Sequence, residues 1–310
     1  MTHWAKTQER GSIKGMMFLL YVLKFLGVAV CKVFLVPVLM YFFATKKAPR
    51  DHLKQYLSHL HAIDQSQPEP GLVNIFKIYI NYGFAIIERI AAWQNKLTIK
   101  QVNKHNETLF EDLVRRGQGA ILLVSHLGNY EISRVLGSSL SGVKLTVFMH
   151  TEQSAKMTRA IKKINPEYDL SVIQGDQLDI KVAMLLKERI DQGEFVVIAG
   201  DRVPVDNDQA VLTADFLGHP ANFPVGPYVM AKVLQCPIVS LFCLKSDKAY
   251  DVYFDLLAES VTFDRHHRDD ALREYIHQYT LILTRYVKIA PLQWYNFHNF
   301  WLDNTQTRDK

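Results

Sequence analysis

The run Ala120-Ile-Leu-Leu-Val124 has no polar face, and it constrains the fold of this chain more than any other stretch. A strand with one wet side alternates polar and apolar residues, whereas a run apolar on both sides has to be covered on both sides. Phe195-Val-Val-Ile-Ala199 repeats the pattern further along. Around these runs, short apolar segments alternate with amphipathic stretches of about a dozen residues. The spacing predicts a strand over 97–102, a helix over 106–116 stopped by Gly117, a strand over 120–125 and a helix over 129–139. A strand over 144–149, a helix over 152–164, a strand over 170–173, a helix over 178–191 stopped by Gly193 and the strand 195–199 follow. Strands near 211–216, 238–244 and 251–257 and a helix over 269–289 lead into an aromatic tail. This texture predicts an α/β fold with a central, mostly parallel or mixed sheet flanked by helices.

The amino-terminal part reads differently. Met16–Ala44 is almost continuously apolar, interrupted by Lys24 and Lys32, with Gly27 and Pro37 inside it. As a helix it would reach roughly 43 Å, enough for a hydrocarbon core of about 30 Å. Each lysine held at mid-membrane would cost about 2.5–3.5 kcal/mol, and both flanks are basic, so no charge asymmetry orients a single span. These two facts favour a helix lying in the interface, or a shallow hairpin broken near Pro37, with the lysines snorkelling to the surface. A polar helix over 47–67 ends at Pro68-Glu-Pro70-Gly71, and a second long helix covers 74–93. The expected division is a hydrophobic, basic, membrane-associating region over 1–68 and an α/β domain over 69–310.

Charge supports the same division. The formal net charge is +5, but residues 1–60 hold nine Lys and Arg against Glu9 and Asp51, a balance of +7, leaving −2 for the remainder. A basic, apolar end on a near-neutral body points to an anionic lipid surface rather than nucleic acid. The cysteines Cys31, Cys236 and Cys243 lack metal or disulfide spacing, so a reducing compartment is expected for the globular part and no metal site.

The strand at 120–125 delivers His126 to its end, and Gly128-Asn129 then turns the chain toward Glu131. Ligands of open α/β sheets sit beyond the carboxyl ends of the strands. An imidazole acts as a general base when a partner fixes its tautomer and stabilises its charged form. Five residues rotate a helix by about 140°, so His126 must precede the helix, with Glu131 in its first turn as the local partner. The opposing interpretation is a capping turn carrying an incidental histidine.

Ser125-His-Leu-Gly-Asn-Tyr-Glu131 resembles the His-x4-acid block of the lysophospholipid acyltransferase superfamily, and its Gly-Asn-aromatic-Glu ending resembles the lipid A late acyltransferase branch. Ile198-Ala-Gly-Asp201, Phe216-Leu-Gly218 through Phe223-Pro-Val-Gly226-Pro227, and Pro291-Leu-Gln293-Trp294-Tyr-Asn-Phe-His298 resemble further blocks of that family in order. The resemblance implies a glycerol-3-phosphate acyltransferase-like fold. It also implies a membrane-associated enzyme on the cytoplasmic face of a bacterial inner membrane, with an acyl-carrier-protein thioester, or coenzyme A thioester, as donor and a lipid or glycolipid hydroxyl as acceptor. His126 would be the general base and Glu131 its orienting partner. Asn129, Asp201, Arg202, Phe216, Gly218, Pro224 and Gly226 would line the substrate. A thioester is already activated, so no cofactor or metal is implied.

Departures from the family pattern bear on the acceptor. Phe148-Met149-His150 stands where an aromatic-Arg-Pro sequence is usual, leaving Arg159 or Arg202 as candidates for an oxyanion or phosphate contact. Asp201 continues to Arg202-Val203-Pro204 instead of a second acid, and Asn299-Phe300 replaces basic residues. This version of the motifs is most similar to acyltransferases associated with aryl polyene lipids. Two alternatives stay open: N-acylation of an amino-lipid, and a catalytically silent lipid-binding or scaffold protein. Ser125 lacks the G-x-S-x-G context of a serine hydrolase, and Asp264–Asp270 reads as a solvated loop before a helix rather than a metal site.

Overall fold

The computed structural model describes residues 13–94, 102–132, 144–149, 171–174, 180–203, 210–247 and 249–302. The helix expected over 152–164, Arg159, His150 and most of the helix expected over 129–139 lie outside the described residues. Helices α1 (Ile13–Thr45), α2 (Lys47–Ile63) and α3 (Leu72–Trp93) come first. Strands β1 (Val102–His105) and β2 (Ile121–Val124) flank α4 (Glu107–Arg115), and β3 (Leu145–Met149) and β4 (Ser171–Gln174) follow. Helix α5 (Ile180–Asp191) leads to β5 (Phe195–Ala199), and β6 (Val211–Phe216) turns into β7 (His219–Pro224). Helix α6 (Gly226–Leu234), strands β8 (Ile238–Lys245) and β9 (Tyr250–Ala258), and helix α7 (Arg268–Ile289) complete the fold.

Seven strands form one sheet in the order β1-β9-β8-β2-β5-β3-β4. Strands β8, β2, β5, β3 and β4 run parallel, while β9 pairs antiparallel with β8 and parallel with β1. Both faces of β2 are covered, as its apolar run requires. Ile121 and Leu123 join a core built with α2, α5, α6 and α7, while Leu122 and Val124 join the opposite core with α1, α3 and α4.

Strand β7 lies in a stretch, 219–224, where the sequence pattern predicts no strand. Pro220 and Pro224 argue against a strand, yet they are tolerated here because β7 pairs only with β6, in a separate two-stranded sheet. The turn between them places Leu217 at φ 54° and Gly218 at φ 79°, both left-handed, as a two-residue hairpin of the twist-matching kind requires.

Helix α1 packs along α3, burying Leu23 and Cys31, while Phe25, Leu26, Val33, Phe34, Met40 and Tyr41 stay exposed. Within it, Phe25–Thr45 is long and apolar enough to cross a membrane, with a mean hydropathy of 2.2 and 11% of it buried. The chain kinks at Gly27 (φ 81°) and runs through Pro37 as helix, so the irregularity expected at Pro37 sits ten residues earlier, at the residue without a side chain. Lys32 does not snorkel. Its Nζ donates to Glu88 of α3 at 2.5 Å, because a buried carboxylate is within reach on the docked face.

Candidate active site

Strands β2 and β5 are adjacent and parallel, with Val124 opposite Ala199. Two residues past each strand end come His126 and Asp201, so extending the register brings imidazole and carboxylate face to face. His126 Nδ1 lies 2.8 Å from Asp201 Oδ1, and the His126 backbone N–H donates to Oδ2 at 2.8 Å. Trp294 Nε1–H donates to the same Oδ2 at 3.3 Å. Asp201 is buried, whereas the His126 side chain keeps 37% exposure. A carboxylate accepting at Nδ1 fixes that nitrogen as the one bearing hydrogen and leaves the Nε2 lone pair as the basic site.

Burial opposes ionisation of Asp201, but the His126 charge, its hydrogen bonds and the Arg202 guanidinium outweigh it and hold the carboxyl well below the usual range. For His126, burial and the neighbouring Arg202 charge push the pKa below its ordinary 6.5, against the opposing pull of Asp201. The imidazole is therefore mostly neutral near pH 7, the form a general base needs.

The loop that carries His126 is held internally. Leu127 N–H donates to Ser125 Oγ at 3.2 Å, Gly128 N–H to Gln293 O at 2.9 Å and Asn129 N–H to Cys243 O at 2.8 Å. Asn129 Nδ2 donates to Ala85 O of α3 at 3.0 Å. With the amides of 126–129 all committed, none of them can stabilise an oxyanion. Gly128 has φ 73°, and a Cβ there would fall 2.0 Å from Cys243 O, so only glycine lets the loop approach β8 this closely.

The carboxy-terminal Pro-x-Gln-Trp block closes the back of the site. Pro291 O accepts from Tyr56 of α2 at 2.7 Å, and Leu292 O from Asn81 of α3 at 3.0 Å. The Gln293 side chain grips both backbone groups of Lys245, at 2.9 and 2.8 Å. Tyr295 N–H donates to His126 O at 2.9 Å. In the sequence this block is marked only by the resemblance and by its density of aromatic residues.

The other expected site residues fall in several environments. Arg202 donates to Asn296 Oδ1 at 3.1 Å and Tyr295 O at 3.3 Å and lies 3.2 Å from His298 Nε2, so it is tied to the tail. Burial and the Arg202 charge lower the His298 pKa to about 2, which keeps its ring neutral and able to accept from that arginine. Phe216 is buried, stacked on Trp301 and 5.4 Å from the Trp294 ring, and so reaches His126 only at second hand. Gly218 serves the hairpin turn, Pro224 is buried at the end of β7, and Gly226 opens α6. Tyr130–Ile132 forms a single 3-10 turn, and the Glu131 side chain lies outside the described residues.

Comparison with known families matches residues 8–303 to the model described as bacterial lipid A biosynthesis acyltransferase. A search of curated proteins finds no match.

Proposed function

The chain belongs to the family of bacterial lipid A biosynthesis acyltransferases and is an acyltransferase; on that footing we propose that it moves an acyl chain from an acyl-carrier-protein thioester to a hydroxyl of a lipid or glycolipid acceptor at the cytoplasmic face of a bacterial inner membrane. One observation carries the reading: a partly exposed His126 whose Nδ1 is pinned by the buried Asp201 carboxylate, at the carboxyl ends of adjacent parallel strands.

In the proposed reaction Nε2 takes the proton of the acceptor hydroxyl as its oxygen attacks the thioester carbonyl carbon. The tetrahedral intermediate collapses with cleavage of the C–S bond, and the imidazolium returns its proton to the departing thiolate. Asp201 balances the imidazolium while it exists, the role the His-x4-Glu spacing suggested for Glu131. Arg159 stays in the proposal as a candidate for an oxyanion or phosphate contact and Asn129 as a substrate contact, while Glu131 remains the rival for the orienting role and is tested beside Asp201. The Phe148-Met149-His150 departure favours an acceptor other than lipid A itself, such as an aryl polyene lipid. The exposed apolar face of α1 supplies the membrane contact.

The test is incorporation of labelled acyl chain into membrane lipid. A positioned general base contributes about 10²–10⁴-fold, so His126→Ala and Asp201→Asn should each cost activity on that order. Undiminished labelling by His126→Ala would overturn the mechanism, while a loss with Glu131→Ala and none with Asp201→Asn would return the partner role to Glu131.

A further inference from the structure

Glu88 of α3 is a buried carboxylate with no part in the proton transfer. It accepts from Lys32 of α1, from the Lys245 ammonium at the end of β8 and from the Tyr250 hydroxyl of β9. Burial opposes its ionisation, but these hydrogen bonds and the Lys245 charge outweigh it and hold its pKa below the ordinary carboxylate value. The cluster lies on a continuous path into the His126 loop. The Lys245 backbone is held at both its N–H and its carbonyl by Gln293, whose own carbonyl accepts from Gly128 N–H, two residues after His126. One turn before Glu88, Ala85 O anchors Asn129 from the other side.

Among the described residues, the space these groups surround is not filled by side chains. A cavity of about 280 Å³ is lined by Glu88, Lys245, Gly128, Asn129, Gln293 and Tyr295, among others. Asn129 Oδ1 is buried and has no donor among the described residues. Where packing leaves a gap, the position of the loop depends on the hydrogen-bonded frame around it. Lys32 stands at the far end of that hydrogen-bonded path from His126 and belongs to the helix whose other face is apolar and exposed.

We propose that Lys32, acting through Glu88, Lys245 and Gln293, positions the His126 loop, so that docking of the apolar helix α1 against α3 is part of the catalytic arrangement and not merely an attachment. The proposal rests on the acyl-transfer reading above. Both lysines are positioning residues, since neither touches the reacting atoms. Lys32 is the informative position, because Glu88 keeps two other donors when it is removed.

The experiment uses the full chain in vesicles of total bacterial lipid, with a dodecanoyl thioester of acyl carrier protein as donor and released thiol as readout. A misplacement of the order of 1 Å can cost about 10²-fold in rate, so Lys32→Met should lower kcat about tenfold or more with the donor KM little changed. Lys32→Arg should restore kcat, and the Lys32→Met, Glu88→Gln double variant should lose less than the sum of the two single effects. Membrane retention and the thermal unfolding midpoint are measured on the same samples. An unchanged kcat in Lys32→Met, or a loss that tracks unfolding or release from vesicles, overturns the proposal. Thiol release that persists in His126→Ala overturns the acyl-transfer reading instead.

Discussion

The imidazole of His126 is poised by opposing neighbours, and its titration should show it. Burial and Arg202 favour the neutral ring, and Asp201 favours the charged one, with the sum below 6.5. The base form is populated above the pKa, so kcat/KM should be flat near neutrality and fall only on an acid limb below pH 6.5. Arg202→Gln removes a positive charge that repels the proton, which raises the imidazole pKa and should move that limb to higher pH in a rate profile. A limb that stays in place would show that the Arg202 charge does not reach the ring. Gly128 tests the backbone beneath. Left-handed φ in a non-glycine residue costs about 1–3 kcal/mol, and the Cβ clash with Cys243 O adds to it. Gly128→Ala should therefore lower the thermal midpoint and reduce activity together, whereas a variant with wild-type stability would show that the loop can move away from β8.

Among the elements, the paired strand ends and α1 matter most to the proposed function. Strands β5 and β6 fall over 195–199 and 211–216, as the sequence predicts, because their residues are unbroken or alternating in a way few other structures accommodate. Strand β7 leaves no such mark in the sequence, because its two prolines are compatible with a strand only where few ladder bonds are needed, a condition set by its neighbours. In α1 the apolar character was plain in the sequence, but which residues face the protein was not, since nearly every position is apolar. The structure resolves this by docking Leu23 and Cys31 on α3 and leaving Phe25 and Phe34 outside. An apolar side chain removed from water contributes about 1.5–3 kcal/mol, so Phe25→Ser with Phe34→Ser should sharply reduce retention on sedimented vesicles while leaving the unfolding midpoint unchanged. Equal retention would place the membrane contact elsewhere.

Across the whole molecule, the α/β class, the apolar amino-terminal helix and the emergence of His126 from a buried strand are legible in the order of residues alone. Each of these follows from local periodicity or from a short run of residues, because burial on one face or two leaves its mark along the chain. The partner of that histidine was not legible in the same way. Glu131 is near in sequence, but Asp201 lies 75 residues from His126 and meets it only because β2 and β5 are neighbours in register. Trp294 and Gln293 come from further still, carried in by a tail that α2 and α3 lock in place. Lys32 shows the same limit: a charge in an apolar helix is visible at once, but its buried acceptor on α3 is not. Pattern along a chain reports how each residue meets water or core, whereas hydrogen-bond partners are chosen by strand order and helix docking, which bring together residues far apart in sequence.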